Sequence, residues 1–254
     1  MEKKQQVQEF FGKHAAAYTT SVGHRSGPDL DLLIRLLGLT GQESLLDVAT
    51  ATGNTAFAIA PLVAAVTGLD LTPEMAQEFQ AQAHARGVGN ARFVLGDVEQ
   101  MPFDADTFDI VTCRRAAHHF PDVPRAVGEM ARVLRPGGRL GIVDMTVPNE
   151  PEAGTLFNDL EIARDGSHCR ALSPGEWRAV AVAAGLAVEH LEITAEDMPW
   201  STWLSPVAAD GPEAQRAEEL AVSAPPGVAG QVVRRGERGL VFLKRRVILV
   251  AVKP

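Results

Sequence analysis

Only two cysteines, Cys113 and Cys169, occur in the 254 residues, and they are not spaced as a Cys-x-x-Cys pair. A disulfide framework and a structural zinc site of that spacing are both excluded. Basic residues are outnumbered, 24 Lys and Arg against 32 Asp and Glu. A nucleic-acid binder presents net positive charge, so nucleic acid and an anionic membrane are excluded as main partners. Long apolar runs are missing too. The most apolar stretch, 56–69, is 14 residues long and contains Pro61, short of the roughly 18–20 residues that span a bilayer. Residues 1–18 hold no apolar run of signal-peptide length, which leads us to expect a protein of the reducing cytoplasm.

What is present is globular. An apolar share of 46% and a charged share of 22% supply a sizeable core, and the length suits one large domain or one domain with an addition, at roughly 100–200 residues per domain. From residue 40 to 146, short apolar runs at 44–48, 65–70, 91–96, 108–113 and 138–144 alternate with helical stretches, the pattern of a parallel sheet covered by helices. Helices are expected at 72–86, opening on Thr72-Pro73-Glu74, and at 124–134, before the turn Pro136-Gly137-Gly138. Further on, Ser173-Pro174-Gly175-Glu176 opens another helix, 187–194 reads as a sixth strand and 247–252 as a last, antiparallel one. The basic run 244–246 between two apolar runs reads as a solvated hairpin turn.

The most informative stretch is Leu45-Leu46-Asp47-Val48-Ala49-Thr50-Ala51-Thr52-Gly53-Asn54-Thr55-Ala56, a strand entering a small-residue turn and then a helix. Small residues admit a ligand to the backbone, and a helix start offers free N–H groups. Asp70, at the end of the second run, stands where nucleotide folds hold a ribose diol, and Gly96-Asp97-Val98-Glu99, ending the third, suits an adenine edge.

In these motifs, with FDIVTCRRAAHHFPD and RVLRPGGRL, the chain resembles the class I S-adenosylmethionine-dependent methyltransferases, in the branch of the ubiquinone/menaquinone-biosynthesis enzymes. The resemblance runs from about Phe10 to Asp144. It implies a Rossmann-like α/β fold: a doubly wound seven-stranded sheet, mostly parallel with an antiparallel last strand, plus an N-terminal helical lid and an inserted cap. We expect a lid at 1–39, a donor-binding core at 40–146, a cap with the sixth strand at 147–238 and a closing strand at 239–254. The resemblance further implies that Asp47, Ala49, Thr50, Ala51 and Gly53 surround the methionine part of S-adenosyl-L-methionine. Asp70 would hold the ribose, Leu71 and Met75 pack near adenine, and Gly96, Asp97 and Val98 read it. Arg114 and Ala116 would lie along the methionine, and Tyr18 near the sulfonium. The family's turn usually reads Gly-x-Gly-x-Gly. With Ala49 and Ala51 here, either the ligand space narrows and affinity falls, or the turn runs at negative φ.

Candidate catalytic residues are His118 and His119, just past the fourth strand, and His168. A histidine titrates near neutrality and can take a proton from a nucleophile, although packing beside Phe120 is an equally simple role. The polar stretch Arg164, Asp165, Ser167, His168, Arg170 resembles a substrate-side element of this branch; a polar loop or an Arg–Asp structural pair is the equal alternative. No metal-ligand spacing is found. The expected activity is methylation of a small apolar or aromatic molecule. Two rivals stand beside it. Ala51-x-Gly53-x-x-Ala56 followed by Asp70 is a variant dinucleotide fingerprint, which suggests an NAD(P)-dependent oxidoreductase. The single tyrosine, Tyr18, has Val22 where a Tyr-x-x-x-Lys pair needs lysine. The second rival is a non-methylating protein of the same fold.

Overall fold

The computed structural model describes residues 2–20, 26–205, 207–208, 210–237 and 239–254, with the side chains of 3–12 alone in the first helix. Eight strands form one sheet: β1 (Ser44–Val48), β2 (Ala65–Asp70), β3 (Ala91–Leu95), β4 (Phe108–Arg114), β5 (Leu134–Met145), β6 (Ala187–Pro199), β7 (Val233–Gly236) and β8 (Gly239–Val252). Their order is β3-β2-β1-β4-β5-β8-β6, with β7 on β8. The first five pair in parallel, and β8 runs antiparallel between β5 and β6. The short β7 is one strand more than expected.

Helices α1 (Glu2–Thr20), α2 (Pro28–Leu37), α3 (Asn54–Ile59), α4 (Pro73–Ala85), α5 (Val123–Val133), α6 (Pro151–Arg164), α7 (Pro174–Ala183), α8 (Trp200–Leu204), α9 (Pro212–Ser223) and α10 (Pro226–Ala229) surround it. β1 and β4 are almost continuously buried because both faces are covered. Leu33 and Leu37 of α2, Phe57 of α3 and Phe79 of α4 pack on one face. Val127 and Met130 of α5 and Trp177 of α7 pack on the other. A third cluster, built on Leu156 and Phe157 of α6, Trp203, Ala217 and Phe242, forms the core under α6, α8 and α9.

Local chemistry sets the helix starts. Ser173 and Glu176 close a reciprocal capping box on α7, and the Asp122 side chain accepts from the Arg125 N–H to begin α5. Thr72 makes no side-chain cap on α4; its own N–H donates to Asp70 instead. Pro136 and Gly137 lie within β5 as an irregularity rather than before it, where the pairing with β4 shifts between Phe108 and Ile110. The largest correction is at 244–246. These residues are not a hairpin turn but part of β8, paired with β6 throughout.

Leu33, fully buried, fixes α2 to the sheet beside Gly141, where an added Cβ would meet its Cδ1 at 2.6 Å. Leu33→Ala is expected to lower stability by about 2–5 kcal/mol in urea unfolding.

Candidate active site

The strand order reverses between β1 and β4, and open α/β sheets place ligands outside the C-terminal ends of strands at such a point. A cleft of about 1060 Å³, counted with its open mouth, lies there. Its floor is the turn 49–53. Thr50 donates its N–H to the Leu69 carbonyl at 3.0 Å and its hydroxyl to the Asp47 carboxylate at 2.6 Å. Thr112 of β4 donates to the other Asp47 oxygen at 2.8 Å. Burial pushes the Asp47 carboxyl up to about 6 in spite of both hydroxyls.

Asp70 closes the floor from the β2 side. One oxygen accepts from the Ala51 N–H and the other from the Thr72 N–H, each at 2.9 Å. Burial raises its pKa, and these N–H groups oppose the rise. Ala49 and Ala51 sit at φ 51° and 48°, so the turn keeps the left-handed backbone that favours glycine, and the negative-φ alternative is overturned. Gly53, at φ 87°, lies behind the turn, where a Cβ would collide with Phe57 and Phe79.

Of the residues singled out for the donor, Asp47, Ala49, Thr50, Ala51, Asp70, Leu71, Met75, Gly96, Asp97, Val98, Arg114 and Ala116 all line the cleft, while Gly53 does not. The Tyr18 side chain lies outside the described residues. The sequence reading missed Lys4, Val7 and Arg115, which also line it. Lys4 reaches from α1 to bridge Asp97 and Glu99, each at 2.6 Å. Arg114 and Arg115 share Asp29 of α2 at 3.0 Å apiece.

The three histidines stand together but differ. His118 Nδ1 lies 2.5 Å from Asp144 of β5, and its backbone N–H donates to the same carboxylate. Burial pulls the imidazole down, but the Asp144 carboxylate outweighs it and the net shift is upward. Burial and the neighbouring His118 drive His119 down to about 3 and His168 to about 4. Only His119 lines the cleft, with Phe11 edge-on at 4.9 Å. His168 pairs with Asn158, Arg164 with Glu161, Asp165 with Ser167, and Arg170 with Glu176 at the surface. None of these four lines the cleft. Among the described residues, no cluster of His, Cys, Asp and Glu is arranged for a metal ion, and no helix is long and apolar enough to cross a membrane.

Residues 46–142 match the family model described as a methyltransferase domain. The chain is 38% identical over 194 residues to the uncharacterized methyltransferase YcgJ of Bacillus subtilis, covering 76% of this chain and 77% of that one. The chain belongs to the S-adenosylmethionine-dependent methyltransferases.

This methyltransferase superposes on the crystal structure of YcgJ with a TM-score of 0.83 at 31% identity, covering 89% of this chain and 97% of that one. The BH2331 protein of Bacillus halodurans C-125 gives the same TM-score at 33% identity, over 90% and 100% of the two chains. A ubiquinone/menaquinone biosynthesis C-methyltransferase of Geobacter sp. strain M21 is 33% identical over half of this methyltransferase and 54% of its own length.

A left-handed alanine costs about 1–2 kcal/mol, of which glycine returns part through its freer unfolded chain. Ala51→Gly should therefore stabilise the protein by about 0.5–1 kcal/mol in urea unfolding. In an NMR titration, His118 should stay protonated above its ordinary 6.5, while His119 and His168 stay neutral down to about 3 and about 4. With the His118 pKa raised by folding, its stabilisation is complete below pH 6.5 and is lost as pH rises through the folded midpoint. Asp144→Asn should lower that midpoint; a His118 midpoint at or below 6.5 in the parent protein would contradict the pairing.

Proposed function

We propose that this enzyme methylates a small apolar or aromatic molecule, with the donor in the cleft between the turn 49–53 and α4. The observation that carries the reading is the placement of Asp70. An ionised carboxylate has about four acceptor positions; backbone N–H groups take one on each oxygen, which leaves room for a vicinal ribose diol. The other cleft residues fit the remaining parts of the cofactor. Asp47, buried and, among the described residues, without a hydrogen-bonded cation, suits the methionine ammonium, and Leu71 and Met75 give adenine an apolar wall. Asp97 and Val98 offer a carboxylate and a backbone N–H at its edge, with Lys4 closing over them from α1.

S-adenosylmethionine supplies, when bound, a methyl group already activated on a sulfonium. The chain's contribution is then alignment and exclusion of water from the nucleophile. His119, neutral at physiological pH and in the cleft wall, accepts a hydrogen bond from the acceptor and orients it. His118 and His168, outside the cleft lining, act through His119 and the segment 165–170. Residues 1–39 and 147–238 enclose the acceptor.

Calorimetric titration with S-adenosylmethionine, S-adenosylhomocysteine and NAD tests the reading. Binding of the first two is expected; tight NAD binding, or no binding of the first two, would reject it in favour of an oxidoreductase or a non-methylating protein. Asp70→Asn should weaken S-adenosylhomocysteine by about 1.5–3 kcal/mol. His119→Phe should lower the rate of S-adenosylhomocysteine release in the presence of acceptor at least tenfold, and leave cofactor affinity near that of the parent.

A further inference from the structure

Lys244 and Arg246 lie on β8, outside the residues matched by the family model. The two-residue period of a strand puts them on one face with Ile248 and Val250, which pack toward α2. Arg246 pairs with Met145 of β5, and Arg115 leaves β4 with its N–H on Val143 of the same strand. Two strand spacings, about 10 Å, therefore separate the Arg115 and Arg246 backbones, a span that two long side chains can close from both sides. All three cations stand at the end of the sheet where the cleft opens, and Arg115 lines the cleft itself.

The nearby carboxylates are already engaged. Asp29 serves Arg114 and Arg115 together. Glu161 serves Arg164 and the Trp203 indole N–H. Glu196, the cross-strand partner position of Lys244, turns instead to Arg246 at 3.5 Å and is mostly exposed. Lys244 is half-buried, and among the described residues its ammonium has neither a hydrogen bond nor an ion pair. Burial first, then Arg246 and Arg115, pulls Lys244 down to about 8, against the opposing pull of Glu161 and Glu196. Burial, Arg114 and Arg246 bring Arg115 to about 10. Among the described residues, Arg114, Arg115, Lys244 and Arg246 outnumber the carboxylates Asp29 and Glu196 that pair with them, and partly buried like charge is costly until an anion joins it.

We propose that Lys244, Arg246 and Arg115 form an anion subsite for a carboxylate or phosphate on the methyl acceptor. The acceptor is then an apolar or aromatic molecule with an acidic head, its body over the cleft and its head on β8. This rests on the reading of the cleft as the donor site, and Arg115 joins the two.

The test is calorimetric titration of the protein with benzoate, phenyl phosphate, benzamide and inorganic phosphate, with and without S-adenosylhomocysteine. Benzoate and phenyl phosphate should bind at least tenfold tighter than benzamide, and phenyl phosphate tighter than inorganic phosphate. Lys244→Gln should abolish the preference for the acids, and Lys244→Arg should keep it. Near pH 8, benzoate should bind with proton uptake, read from buffers of different ionisation heat, and Lys244→Gln should lose this uptake. Equal affinity for benzoate and benzamide, a preference that survives in Lys244→Gln, or inorganic phosphate matching phenyl phosphate would overturn the proposal. So would a loss of S-adenosylhomocysteine affinity in Lys244→Gln, which would assign the cations to the donor's own carboxylate. Absence of S-adenosylhomocysteine binding in the parent protein would sink the donor reading alone, and the arms without it would still decide the subsite.

Discussion

The cleft depends on one carboxylate. Asp70 stands at the end of β2 and takes N–H groups from two different connections, Ala51 in the turn after β1 and Thr72 at the start of α4. Without it, two backbone donors at the switch point would have to find water, and the turn would lose its tie to the second strand. The charge-assisted bonds are stronger than neutral ones, and they act where the backbone is under strain: Ala51, whose N–H is held, is itself in the left-handed region. One side chain thus fixes the floor of the cleft and lines it.

The strain at Ala49 and Ala51 needs such reinforcement. Thr50 between them is held on both sides, by the Leu69 carbonyl through its N–H and by Asp47 through its hydroxyl. Asp47 is held in turn by Thr112 of β4. The three neighbouring strands β2, β1 and β4 are therefore laced together through a turn of small residues. This is why alanine can stand where the family usually has glycine: the surrounding bonds determine the backbone, and each methyl costs strain without changing the path of the chain.

Much of this was legible in the sequence, because strand–turn–helix motifs are local. The turn, Asp70 and the Gly96-Asp97-Val98 segment each carry their signal within a few residues of one strand end, and their strands read as apolar runs. Lys4, Asp29 and Lys244 were not legible for the opposite reason. Each meets its surroundings across the fold, and nothing beside Lys4 in α1 marks the partners Asp97 and Glu99. Three consecutive charges at Lys244-Arg245-Arg246 imitate a solvated turn although they lie within β8. In a strand they alternate faces. Arg245 donates to the Gln231 carbonyl, and Arg246, the next residue, pairs with Glu196. In the segment 164–170, Arg164, His168 and Arg170 answer Glu161, Asn158 and Glu176, since a dense polar stretch must first satisfy itself, while Ser167 meets His119 of the cleft wall.

The two faces of β5 carry different chemistry. Asp144, on one face, holds the His118 ring and backbone, and the His118 carbonyl accepts the N–H groups of Cys169 and Arg170. The segment that follows α6 is thereby fastened to the turn that carries His119. On the other face, at Met145, β8 brings Arg246. A shift of α6 and its following loop would be felt at His118 through two hydrogen bonds, and at His119 as the next residue. The buried ion pair of His118 and Asp144 resists such a shift, because separating it would leave a charge uncompensated in the interior. The position of the segment 165–170 and the orientation of the cleft histidine are accordingly one mechanical unit, anchored at the end of a single strand.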